Sequence, residues 1–148
     1  MAEAFFIKTG NGLMPAQSHD RLLLDKIKAG TPVRMTYKRV RNYSFHKKYF
    51  ALLNFAFDYW EPPENQVGEK NFNRFRKDII ILAGFYEQYV RIDGSTRLEA
   101  KSISFASMDE DEFEELYTKT IDVIIKYICT QYTGEMLRQV VEMAEGFD

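Results

Sequence analysis

The chain has 148 residues, 45% hydrophobic, 15% aromatic and 28% charged, with a formal net charge of −2. Such a composition suits one folded domain with an ordinary core and excludes a disordered or low-complexity chain. There is no apolar run of the roughly 18–20 residues that span a bilayer, no secretory signal pattern at the N-terminus, and only one cysteine, Cys129, so a cytoplasmic chain in a reducing compartment, without a membrane anchor, is expected.

In chain order, Phe5–Lys8 reads as a short strand, and Asn11-Gly12 as a hairpin turn that pairs Leu13-Met14 back onto it. Ser18 is placed to cap a helix to Ala29 that buries Leu22, Leu23 and Ile27, with Gly30 ending it. Pro32–Arg39 alternates Val33, Met35 and Tyr37 against Arg34, Thr36 and Lys38, the pattern of a strand with one basic face. After a turn at Arg41-Asn42-Tyr43, Ser44 is expected to cap a helix to Tyr59 with the stripe Phe45, Tyr49, Leu52, Leu53, Ala56 and Trp60. The Pro62-Pro63 pair and Gly68 make residues 61–68 a loop.

Asn71–Ala83 is predicted as a third helix, with Phe72, Phe75, Ile79 and Leu82 inward and Lys70, Arg74 and Lys77 on another face. Phe85–Ile92 and Thr96–Phe105, joined by Asp93-Gly94, read as a second hairpin. Ser107 and Glu110 form a capping-box pattern opening a helix to Gln131, and a last helix spans Glu135–Glu145. The expected class is α+β, a single domain over residues 1–148 with a small, largely antiparallel sheet and about five helices.

Charge is distributed unevenly. Residues 1–80 hold 14 Lys/Arg against 8 Asp/Glu, residues 81–148 hold 6 against 14, and from Lys26 to Phe57 eight basic residues meet no acidic one. A cluster of that kind repels itself unless a polyanion uses it. The candidate nucleic-acid-binding residues are therefore Arg34, Lys38, Arg39, Arg41, Lys47 and Lys48, with Arg74 and Lys77 from the third helix. Tyr37, Tyr43, Phe45, Tyr49 and Phe50 interleave with the first group. Tyr43, in the turn, is the expected base stacker, Phe45, Tyr49 and Phe50 are expected in the core, and His46 is placed to touch phosphate.

Catalytic signals are weak. Asp93, Glu99 and Lys101 resemble in part the carboxylate and Glu-x-Lys pattern of metal-dependent nucleases, but Asp93 is already explained by its Asp-Gly turn. The acids at 109–115 suit the first turns of a helix, where the dipole stabilises negative charge. No phosphate-binding glycine loop, nucleophile elbow or Cys/His cluster is present, so no catalytic residue, metal site or cofactor is expected.

The segments Arg39–Leu53, Asn71–Asp78 and Leu98–Phe105 resemble a family of phage and prophage proteins without an assigned activity. A more distant resemblance is to the Orf/NinB recombination mediators of lambdoid phages. Arg41, Lys47 and Phe50 stand at matching Arg, Arg and Trp positions, and Ser102-Ile103-Ser104 with Met108 is similar to a later stretch. Phe45-His46 replaces a Gln-Asn pair. The resemblance implies a homodimer that binds single-stranded DNA, with host single-strand-binding protein or a recombinase as further partners. A phage protein that inhibits or redirects a host protein is the alternative reading, and a small nuclease the third. The apolar surplus of the long helix after Ser107 is a second motive for the homodimer.

Overall fold

The computed structural model describes residues 2–64 and 68–145, so residues 65–67 of the expected 61–68 loop lie outside the described residues. The order of elements is β1 (Phe6–Thr9), β2 (Gly12–Pro15), α1 (Ser18–Asp25), α2 (Tyr43–Tyr59), α3 (Phe72–Leu82), β3 (Tyr86–Val90), β4 (Thr96–Ala100), α4 (Glu110–Tyr127) and α5 (Gly134–Glu145). The class is α+β, and both sheets are antiparallel and two-stranded, β1 with β2 and β3 with β4. By its contacts the chain divides into two units, Met1–Tyr37 and Lys38–Asp148.

In the first unit, β1 and β2 pair Phe6 with Pro15 and Thr9 with Gly12. The turn residues are therefore Gly10-Asn11, one position earlier than expected, and Gly10 takes the positive φ of 49° that the tight turn requires. Asp20, fully buried, fastens this hairpin to α1: its carboxylate accepts from the Phe5 and Gln17 amides, each at 3.1 Å. The expected apolar face of α1 is not buried, for Leu22 and Ile27 are exposed and Leu23 is only half-buried. The helix also stops at Asp25, four residues before the expected end.

Residues 31–42 contain neither helix nor strand, which corrects the strand expected over Pro32–Arg39. Alternation of side chains is a property of the strand's two faces, but the strand itself needs a neighbour for its N–H and C=O groups. No described strand pairs with this segment. Val33, Met35 and Tyr37 are accordingly exposed.

The second unit is built on a helical core. α2 packs against α3 and α5, and α4 against α3 and α5. Tyr49, Leu52, Leu53 and Ala56 of α2 meet Phe75, Ile79 and Ile80 of α3, Phe113, Leu116, Ile121 and Ile124 of α4, and Leu137 and Val141 of α5. Tyr49 is fully buried and its hydroxyl lies 3.0 Å from the Thr120 hydroxyl; burial pushes its ionisation well above the usual phenol range. On α3, Ile80 takes the inward place expected of Leu82, which is exposed. The caps differ from the expected ones. Asn42, not Ser44, caps α2 by accepting from the Ser44 and Phe45 amides, and Asp109, not Ser107, caps α4 by accepting from Glu112 N–H at 2.9 Å. Nearly all apolar side chains of α4 are covered within this unit, with Tyr127 the exposed exception, while Met136 and Met143 of α5 are exposed.

The end of α3 sets the position of the second hairpin. Gly84 has φ +94°, its N–H donates to Ile81 O at 2.9 Å, and Phe85 N–H donates to Ile80 O at 3.1 Å. This paired arrangement is a Schellman termination. It reverses the chain so that β4 runs beside α3. Lys101 N–H then donates to Phe85 O at 3.1 Å, tying the far end of β4 to the turn. A β-carbon at Gly84 would meet no atom within 4 Å, so Gly84→Ala tests the left-handed backbone alone. It should cost about 1–2 kcal/mol, read as a lowered urea midpoint with an unchanged slope; no change would show that the turn does not hold Gly84 in that conformation.

Candidate nucleic-acid interface

Arg41 immediately precedes the α2 cap and is only 6% exposed. Its Nη1 donates to Ile103 O at 2.8 Å and Met108 O at 3.2 Å, while Nη2 lies 2.9 Å from His46 Nδ1. The guanidinium carbon sits 3.6 Å from the centre of the Phe113 ring and 4.9 Å from that of Phe105, a cation–π arrangement. Burial lowers its pKa below the ordinary guanidinium value, and Glu110 opposes that shift. Glu110 is itself buried and accepts from Asn42 N–H at 2.6 Å. Arg41 therefore holds the 102–109 loop and does not face a ligand.

The other candidates divide by use. Arg39 pairs with Asp111 at 2.8 Å and Glu114 at 3.1 Å, and Lys48 approaches Glu142 at 3.9 Å. Part of the basic run is thus answered by acids that follow it far along the chain. Arg34 and Lys38 are exposed in the segment without regular structure, Arg34 in the first unit and Lys38 in the second. Lys47, Arg74 and Lys77 are exposed on α2 and α3.

Two adjoining open recesses lie along α3 and β4, sharing Lys77 and Ala100. One, of about 400 Å³, has Arg74, Lys77, Arg91 and Arg97 among its lining, with Asp78 and Glu99 between them; Glu99 is 3.4 Å from Arg97. The second, of about 420 Å³, is lined in part by Arg76, Lys77, Lys101, Ser102, Ser104 and the half-buried Phe50, and none of its described lining residues is acidic. The sequence places Arg74 and Lys77 among the nucleic-acid candidates and Lys101 in the nuclease-like pattern, but gives Arg76, Ser102 and Ser104 no binding role. Ser102 and Ser104 carry a signal only through the family resemblance.

An aromatic path adjoins the second recess. Tyr43 is the first residue of α2 and is 65% exposed. Its ring centre lies 6.5 Å from that of the exposed Phe105, and Lys47 Nζ is 5.5 Å from the Tyr43 ring. The His46 ring is 5.2 Å from Phe105 and 4.9 Å from Phe50. His46 is half-buried and serves this path rather than offering itself to solvent. Since Arg41 can only donate, His46 Nδ1 must accept, which requires a neutral ring with its proton on Nε2. Desolvation, then the charges of Arg41 and Arg76, pull the His46 pKa below 6.5.

Of the nuclease-like residues, Glu99 lines the first recess, Lys101 the second, and Asp93 lies in the turn between β3 and β4. Asp93 accepts from the Ser95 amide at 2.9 Å and the Ser95 hydroxyl at 2.6 Å, which holds its carboxyl below the ordinary range. Among the described residues no group of three or more His, Cys, Asp or Glu could hold a metal ion. No helix among them is long and apolar enough to cross a membrane.

The model of one protein family matches residues 1–70 and 63–141. The chain belongs to the DUF1367 family. That family is described as proteins of unknown function, so membership carries no activity to this DUF1367 protein. No curated protein and no solved structure matches the chain.

Two predictions follow from the Arg41 node. Arg41→Ala would strand two buried carbonyls and should cost about 2–4 kcal/mol, whereas Arg39→Ala, at an exposed pair, should leave the melting temperature nearly unchanged; equal effects would remove the distinction. The neutral state of folded His46 contributes stability that is complete above about 6.5 and falls as pH drops toward the lower folded value, because the unfolded chain takes up the proton first. Thermal melts from pH 7.5 to 5 should therefore show a loss in the native protein that His46→Gln, which keeps an acceptor for Arg41, makes shallower.

Proposed function

We propose that the protein binds single-stranded DNA through Tyr43, Phe105, Lys47 and the cationic recesses along α3 and β4, as a non-enzymatic accessory of phage recombination or replication. The observation that supports this reading is an exposed aromatic pair adjoining a recess lined by three cations and no described acid. Phosphates take up positive charge, and unpaired bases stack on flat side chains. A duplex hides the π-faces of its bases, so the aromatic pair favours a single strand. The phage setting, and host single-strand-binding protein or a recombinase as partners, rest on the resemblance to the Orf/NinB mediators.

Fluorescence anisotropy with single-stranded and duplex oligonucleotides tests the proposal. With Lys47, Arg74 and the group of Arg76, Lys77 and Lys101 together neutralising about three to five phosphates, log affinity should fall against log salt with a slope of roughly −2 to −3.5, at about −0.7 per contact. Tyr43→Ala should weaken single-strand binding by about 1–3 kcal/mol with little change in melting temperature. No binding at low salt, or a slope near zero, would sink the reading.

A further inference from the structure

We infer that the recess bounded by Arg76, Lys77, Lys101, Ser102 and Ser104 is a phosphomonoester site that grips the terminal phosphate of a single strand. This deepens the proposed function, on which it rests for the source of the phosphate. The first argument is charge. None of Arg76, Lys77 and Lys101 forms an ion pair among the described residues, and none of the described residues lining the recess is acidic. The neighbouring recess differs in this respect, since Asp78 and Glu99 are part of its lining. A phosphodiester brings one negative charge, whereas a phosphomonoester carries about −1.5 to −2 at neutral pH. Three uncompensated cations around one small space match the second better than the first.

The second argument is the set of hydroxyls. Ser102 Oγ lies 3.1 Å from Ser104 Oγ, which lies 2.9 Å from Ser107 Oγ, and Ser104 N–H donates to Ser102 Oγ at 3.3 Å. Hydroxyl protons rotate to suit their surroundings. Ser102 donates to Ser104 and Ser104 to Ser107, so an anion in the recess competes with Ser104 Oγ for the Ser102 proton, which reaches it by rotation of the hydroxyl. A phosphomonoester, with three acceptor oxygens, can use such a donor together with the three cations.

The third argument is rigidity and size. Arg41 fixes the backbone between Ser102 and Ser104 through Ile103 O and just after Ser107 through Met108 O, so the donors are held before any ligand arrives. The volume of about 420 Å³ accommodates a terminal phosphate with its sugar, and Phe50 supplies an apolar wall beside them.

The experiment compares one short oligonucleotide with a 5′-phosphate, with a 3′-phosphate and with hydroxyl ends, adding a hydroxyl-ended strand two nucleotides longer to match charge. One phosphorylated end should tighten binding about tenfold over the charge-matched strand. That ratio should fall toward one in Lys101→Ala and in Ser102→Ala, both exposed positions whose folding is checked by circular dichroism. Equal affinities for phosphorylated and charge-matched strands would overturn the inference and leave single-strand binding standing. Titration with inorganic phosphate separates the remaining cases. Phosphate binding that Lys101→Ala abolishes, without binding of any strand, keeps the site and removes the nucleic acid as its source. Absence of both overturns site and strand together.

Discussion

The buried guanidinium of Arg41 is the constraint on which the exposed face of the second unit depends. A charge withdrawn from water is costly unless it is hydrogen-bonded and shielded by favourable neighbours. Here the neighbours are two loop carbonyls, a neutral histidine and the face of Phe113. Satisfying that charge draws together the start of α2, the 102–109 loop and α4. Ser102, Ser104 and Phe105 occupy their places because the backbone between them and Met108 is held from beneath. Glu110 completes the arrangement by accepting from the Asn42 amide, so one helix start is fastened to the next.

This use of Arg41 changes how the basic run is understood. Eight positive charges without an acid from Lys26 to Phe57 look like one surface when laid out in line. In the folded chain they have separate destinations: Arg41 is buried, Arg39 and Lys48 meet acids of α4 and α5, and Lys47 stands beside Tyr43. The acids of the second half are therefore partners for part of the basic half, as well as residues suited to the positive end of a helix. Lys26, Lys28, Arg34, Lys38 and Lys47 of that run form no ion pair among the described residues, and the cations lining the recesses, on α3 and at the end of β4, lie outside the run.

Local chemistry was largely legible. The helices, both hairpins and the antiparallel pairing follow from apolar spacing and from glycines in turns, and Gly84 and Gly94 stand where positive φ is needed. The misreadings share a cause. Ser44 and Ser107 are good caps by type, but Asn42 and Asp109 are equally good and were better placed by the surrounding contacts. The α1 stripe and the 32–39 alternation describe faces, while burial and pairing require a neighbour that those residues do not have.

The sequence by itself determined the class of fold, the core stripes of α2 and α4, the place of Tyr43 near an exposed helix start and the basic character of α3. These depend on intervals of a few residues, where side-chain spacing and backbone preference act directly. Only the tertiary structure decided that Arg41 is buried and that Arg39 is paired. It also decided that Arg76, Lys101, Ser102 and Ser104 share one recess. Those outcomes join positions more than twenty residues apart, and they turn on the reversal at Gly84 and on the energy of satisfying a buried charge. Neither the direction of a chain reversal in space nor the partners of a desolvated cation is written in local spacing, so both appear only when the helices have packed.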